Sequence, residues 1–376
     1  MNCKSQTLSL LCVSVLLFCS CNKTNNEYVP NKIELGEVVE DNQNLSDLFE
    51  VVQLIPLENK EECMLRYLSK FQSTPNGFLI LGKVNTNEPL PMLFDKEGKL
   101  ITKVGDLGHG KGEYQSIWDV TASESGDTIV VSVFDGLMRY DSQGKFIDSK
   151  QIFDYAQIHS IISYQGGYIC STDYSEPGHI IHFLDKDLNI TDELLPINCE
   201  SVDYPFFMPY SLTVCNGKLY YYDGFRTMFS IIDLKDRSII NQTILHGDNT
   251  ATLEKTTSKK NQEYNDQYDG ALSYYLYNNH IRGNFFINND VSYYDLDLDK
   301  NTIKLFKQFE YLPAINYYDG NYYYSVITAD ELLEMLDGKY LTTQKTQDMF
   351  QQAYDRLAHE VNKLDNFIIV KLRKIK

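Results

Sequence analysis

The residues with the strongest claim to chemistry lie in one glycine-rich stretch of this 376-residue chain, Gly105-Asp106-Leu107-Gly108-His109-Gly110-Lys111-Gly112-Glu113-Tyr114. Its pattern Gly105-x-x-x-x-Gly110-Lys111-Gly112 is one residue from a phosphate-binding loop. Such a loop needs Ser or Thr after the lysine to hold magnesium, and a helix whose N-terminus faces the phosphates. Here Gly112 removes the hydroxyl and Glu113 places negative charge where phosphate would sit. Ile117-Trp118-Asp119-Val120 reads as a strand, not a helix. The stretch therefore reads as a loop between sheets whose glycines permit positive φ. Asp295-x-Asp297-x-Asp299 hints at a calcium loop. Lys300 stands where such a loop needs Gly, and Phe306 replaces the bidentate Glu, so a solvated strand turn is expected.

The other reactive side chains are dispersed. The seven histidines form no His-Glu-x-x-His pattern. His179 and His182 are three apart in a strand-like segment, which predicts opposite faces. His159, in an innermost strand, either points into a central channel or is a structural histidine. There is no Gly-x-Ser-x-Gly elbow. Cys63, Cys170, Cys199 and Cys215 form no Cys-x-x-Cys pair, which argues against zinc-ribbon and thioredoxin chemistry. They read as buried thiols, with a Cys199–Cys215 disulfide left open. Tyrosine clusters at 220–222, 274–277, 317–318 and 322–324 serve either as core or as platforms for sugar rings.

The elements that must position these residues are strands. Twenty-eight Tyr and 19 Phe suit half-buried pleated surfaces. A unit recurs along the chain: a strand, a Gly or Asn turn, an aliphatic or tyrosine-rich second strand, a third strand ending in Asp, a polar turn and a fourth strand. Six second strands begin near Gly77, Asp127, Gly167, Gly217, Gly283 and Gly320. The third-to-fourth turns centre on Asp95, Asp141, Asp185, Asp233 and Asp295, at spacings of 46, 44, 48 and 62 residues. That period, with four strands per unit, predicts an all-β, six-bladed β-propeller. The longest spacing holds a polar insert, 246–269. In the sixth unit, Thr328-Ala329-Asp330-Glu331 reads as a capping box opening a helical insert, 328–366. Its second helix carries Met349, Ala353, Leu357, Val361 and Leu364. Phe367–Leu372 then supplies a strand, and Phe49–Leu57 is its expected partner, closing the ring within the propeller body, 49–376.

Residues 1–20 read as a lipoprotein signal peptide: Lys4, the apolar run Leu8–Phe18, then Ser20-Cys21. Cys21 is the expected lipidation site, and 21–48 the expected tether. Removing the leader leaves 33 basic against 52 acidic side chains, a net charge of −19. So negative a surface argues against nucleic-acid binding and leaves membrane attachment to the lipid on Cys21.

Phe94-Asp95-x-x-Gly98-Lys99, Gly108-x-Gly110-x-Gly112-Glu113-Tyr114, Leu54-Ile55-Pro56-Leu57-Glu58 and Asp365-Asn366-Phe367-Ile368-Ile369-Val370 resemble the six-bladed, NHL-like β-propeller lipoproteins common in gut Bacteroidota. The resemblance spans the mature chain and departs at Lys111 and Phe367, where that family usually has Pro. It implies a propeller lipid-anchored in the cell envelope, at the periplasmic face or the cell surface, and implies little chemistry. No cofactor can be named. The expected role is a binding or scaffold module for a glycan or peptide, the alternative a propeller lyase or hydrolase with a channel metal. Loops leaving fourth strands and loops joining second to third strands share one face. The glycine-rich loop, the 246–269 insert and the helical insert are therefore expected around one channel mouth, with Asp135, Asp173, Tyr174 and His179 on shorter loops of that face. His109, Lys111, Glu113, Asp223 and Arg226 are the residues expected to border a ligand there.

Overall fold

Each apolar run of the repeat forms a strand, and the strands assemble in chain order into six small sheets. The computed structural model describes residues 29–40, 44–84, 88–134, 136–154, 156–172, 178–197, 212–224, 226–250, 269–307, 314–340 and 343–375. Blade one is Tyr67–Thr74, Gly77–Lys83, Leu90–Phe94 and Leu100–Lys103. Blade two is Asp119–Ala122, Thr128–Val133, Gly136–Asp141 and Phe146–Lys150. Blade three is Ile158–Tyr164, Gly167–Thr172, His179–Leu184 and Ile190–Pro196. Blade four is Leu212–Cys215, Lys218–Asp223, Met228–Asp233 and Ile239–His246. Blade five has a split first strand, Gly270–Ala271 and Tyr275–Tyr277, then His280–Ile287, Asp290–Asp297 and Thr302–Lys307. Blade six is Ile315–Tyr318, Tyr323–Ile327 and Ile368–Lys374, and its outermost strand is β3, Phe49–Pro56. The chain thus forms a six-bladed β-propeller.

Ring closure takes the expected form. Ile368 to Lys374 run antiparallel to Pro56 to Phe49. The core is segmented as a propeller requires, with one buried apolar cluster in each of the six gaps between neighbouring blades. No blade can bury both faces alone, so each gap is sealed only by its neighbour. The tyrosine clusters belong to these gaps. Tyr222 of blade four accepts from the Ala271 amide at 3.0 Å, and Tyr274 of blade five donates to the Tyr220 carbonyl at 3.1 Å.

The Asp-x-x-Gly turns have a second job besides reversing the chain. Asp95 and Asp141 each accept two backbone amides of their own turn. Gly98 and Gly144 have φ of 83° and 74° and dock on the preceding blade's outer strand; a Cβ there would lie 2.3 Å from the Pro56 carbonyl oxygen and 2.1 Å from that of Lys103. Only glycine fits that approach. At the blade two–three and three–four joints side chains take over: Lys150 reaches Asn189 at 2.5 Å, and Arg237 pairs with Asp192 at 2.5 Å.

Five expectations need correction. The turn of blade five is organised by Asp297, which accepts the Asp299 and Lys300 amides, not by Asp295. The second strand there starts at His280, and Gly283 lies mid-strand, where a Cβ would meet the Ser273 carbonyl at 2.0 Å. The tether is also shorter than expected. Strand β1, Asn31–Glu34, pairs in parallel with Thr243–His246, and β2, Val38–Val39, with Leu305–Phe306. This belt covers the outer edges of blades four and five before the chain enters α1, Leu45–Leu48, and β3.

The remaining corrections concern the helical insert. Helix α2, Ala329–Leu336, has the capping box foreseen at Thr328 and Glu331. Helix α3, Gln344–Tyr354, is shorter than its apolar stripe suggested. Phe350 and Ala353 are buried, Val361 packs from irregular chain, and Leu364 is 90% exposed. The insert does not gather at the channel mouth. Leu332, Met335 and Phe350 bury against Phe49, Val51 and Ile368, where the blade five–six gap offers apolar surface, so α3 lies beside β3 and α1. The leader, Cys21, Cys199, Asp135, Asp173, Tyr174 and most of the 246–269 insert lie outside the described residues.

Candidate functional site

The glycine-rich loop is closed on itself. Glu113 accepts the Gly110 amide at 2.8 Å, and its carboxylate fills the space beside Gly108 and Gly110. Tyr114 donates to the Val104 carbonyl at 2.6 Å, and Gly105 lies against the Tyr114 and Tyr140 rings. A carboxylate thus occupies the place where a phosphate loop would present amides. His109 Nδ1 accepts from the Gln115 amide at 2.7 Å, and Lys111 is exposed. Asp223 and Arg226 sit on the second-to-third turn of blade four, 3.6 Å apart, with Asp223 buried. The structure therefore brings together His109, Lys111 and Glu113 on one loop and Asp223 with Arg226 on another, with blade three between the two sets.

The calcium reading also dissolves into separate partners. Asp295 binds His280 and Arg282, each at 2.6 Å. Asp297 pairs with Lys300, whose hydrogen bond holds its carboxyl down to about 2. Asp299 accepts from Asn279 at 2.8 Å. Among the described residues no three or more His, Cys, Asp or Glu side chains gather as metal ligands. His179 and His182 do not diverge: both reach Glu193, at 3.6 and 2.9 Å. His179 opens its strand opposite Pro196, and the long Glu193 side chain, opposite His182, reaches both rings. Burial pulls the His182 imidazole below its ordinary range, against the pull of Glu193. Cys63, Cys170 and Cys215 are free thiols.

A different set of residues emerges from the innermost strands. In blade three, Ile158 pairs with Thr172 and Ser160 with Ser171, so His159 is an inserted residue, a β-bulge. Ser69 in blade one and Asn316 in blade six occupy the same place. In blade five the Leu272 and Ser273 amides both reach the Asn284 carbonyl, at 2.9 and 3.4 Å. In blade two the Trp118 amide donates to Ser132 at 2.9 Å while Asp119 is paired with that same residue. Bulges re-aim side chains and recur beside functional sites.

Small bulge residues turn back on the ladder. Asn316 Oδ1 accepts the Val326 amide at 2.8 Å, and Ser273 Oγ the Asn284 amide at 3.2 Å. Trp118 and His159 put large aromatic rings at the same place. Their rings meet edge to face, centroids 5.2 Å apart, across the blade two–three junction. Gln157, two residues before His159, has a buried Oε1 with no hydrogen-bond partner among the described residues.

A buried ionic knot holds this pair in place. Lys70 of blade one donates to Asp119 at 2.7 Å and to the Ile161 carbonyl at 3.0 Å, and the Ile161 amide donates to Asp119 at 2.7 Å. Asp119 follows Trp118 directly, so three inner strands fix the indole against the imidazole. The arrangement pairs an aromatic surface with an amphoteric imidazole, which suits a polar ring ligand. Trp118 had read only as a strand residue. Its signal was its singularity: one Trp among 28 Tyr, just before an innermost strand.

Fold and site together define an all-β propeller of the six-bladed class. Residues 30–373 match the family described as domain of unknown function DUF4934, and the chain belongs to that family. A protein of Bacteroides fragilis NCTC 9343, described as exported, has a crystal structure similar to this one. It shares 15% identity and a TM-score of 0.67, over 92% of this chain and all of that one. The Pan2 WD40 domain of Neurospora crassa is a more distant likeness, at 11% identity and a TM-score of 0.40, over 69% of this chain and 71% of that one. No curated protein matches the chain.

Proposed function

We propose that the protein is an exported, lipid-anchored propeller that binds a polar ring compound, a glycan unit foremost, at the Trp118–His159 junction. The observation that carries this reading is the placement of the indole and imidazole on equivalent bulges of adjacent inner strands. The described exported protein of Bacteroides fragilis supports an extracytoplasmic location, and Ser20-Cys21 after the apolar run supports the anchor.

Trp118 is the single tryptophan, so its fluorescence reports on the junction alone. Titration with a panel of oligosaccharides should shift or quench that emission saturably, and His159→Ala should weaken the response about tenfold. Saturable binding that leaves Trp118 emission and acrylamide access unchanged would place the ligand elsewhere. Cys21→Ala should release the protein from membranes; unchanged membrane association would sink the anchor.

A further inference from the structure

The outer edge of blade six is formed by β3 and lies apart from the Trp118 junction. Pairing of Leu57 with Phe367 and of Leu48 with Ile375 sets the hydrogen-bond alternation along β3. Gln53 and Glu50 then face the neighbouring strand, while the backbone groups of Val51 point away from it. That free edge opens on a groove of about 640 Å³. Four consecutive residues, Phe49 to Val52, line it. Because alternate side chains leave opposite faces of a strand, this means the groove meets β3 at its edge. The opposite wall is α3.

Three observations say what fits there. On blades four and five the corresponding edges are covered by this chain's own extended segments, β1 and β2, added in parallel. The groove lining includes Ser46, 2% exposed, whose Oγ has no hydrogen-bond partner among the described residues. The charged lining is Lys345, Arg356 and Arg373 against Glu50 and Asp348, a positive balance on a chain of net charge −18. Lys345 pairs with Asp47 and Arg373 with Glu50. Arg356 is exposed, and its Nε reaches only the Gln352 carbonyl, at 2.9 Å.

We propose that this groove receives an extended, acidic segment of a partner polypeptide, which adds as a further strand to β3 with a carboxylate toward Arg356. Main-chain bonds to the edge supply the affinity, and Arg356 with Ser46 the selection.

The probe is a short synthetic peptide alternating valine and glutamate, added to the full mature protein. Saturable binding with slowed amide exchange at Val51 is expected. Arg356→Glu should weaken it about tenfold with an unchanged melt. Absence of saturable binding, equal binding of a valine–lysine peptide, or protection at the Leu100–Lys103 edge instead would overturn the proposal. So would concentration-dependent protection of Val51 without peptide, which would make the occupant a second copy.

Discussion

Lys70 Nζ and Asp119 Oδ2 lie 2.7 Å apart, buried, on the inner strands of two different blades. Removing one partner leaves the other charge without compensation in a poorly solvated site. Lys70→Met should therefore destabilise the fold by about 3–5 kcal/mol. Lys70→Met combined with Asp119→Leu should cost less than the two single changes summed, read by denaturant unfolding. Additive costs would mean the pair is not coupled.

Asp295 and Asp297 differ by two residues and should differ clearly in cost. Asp295 is mostly buried between Arg282 and His280, so Asp295→Ala should destabilise by about 3–5 kcal/mol. Asp297 caps an exposed turn, so Asp297→Ala should cost about 1 kcal/mol. Equal losses would refute the reassignment of the blade-five turn.

Truncation should separate belt from closure. A chain beginning at residue 44 loses β1 and β2 and with them the burial of Ile33, so it should stay cooperative but lose about 2–4 kcal/mol. A chain beginning at residue 60 loses β3, opens the ring and should lose its cooperative melt. A normal melt for the second chain would disprove closure by β3.

His182 gives the fold a pH dependence. Burial lowers its folded pKa below the ordinary value of 6.5, so the unfolded chain binds more protons as pH falls through that value. Stability should be fully present above that range and decline as pH drops below it. His182→Gln should flatten the slope of wild-type stability between neutral pH and the folded-state pKa. An identical slope in the variant would assign the dependence to other groups.

The blades were legible because propeller strands are local objects. Each repeat carries its alternation, its turn aspartate and its glycine within a short window, and Gly98 and Gly144 show why that glycine recurs. Blade five blurred because Asp295 and Asp297 both end a strand-like run. Which of them caps the turn depends on whether Arg282 lies across the ladder, and that is a matter of register. The site was legible only in fragments. His159 was noticed as an inner-strand histidine and Trp118 was not noticed, because a bulge is a relation between two strands and leaves no mark in one of them.

Sequence alone determined the strand period, the closing pair of chain ends and the capped helix at Thr328, because each rests on residues adjacent in the chain or on hydrophobic alternation. Tertiary structure decided what meets what. It turned the supposed tether into a belt, because residues 31–39 meet the outer edges of blades four and five and pair with their backbone. It laid the helical insert along β3, because the blade five–six gap was the apolar surface within its reach. It joined Trp118 to His159 across 41 residues of chain, because neighbouring inner strands converge around the propeller axis whatever their distance in sequence.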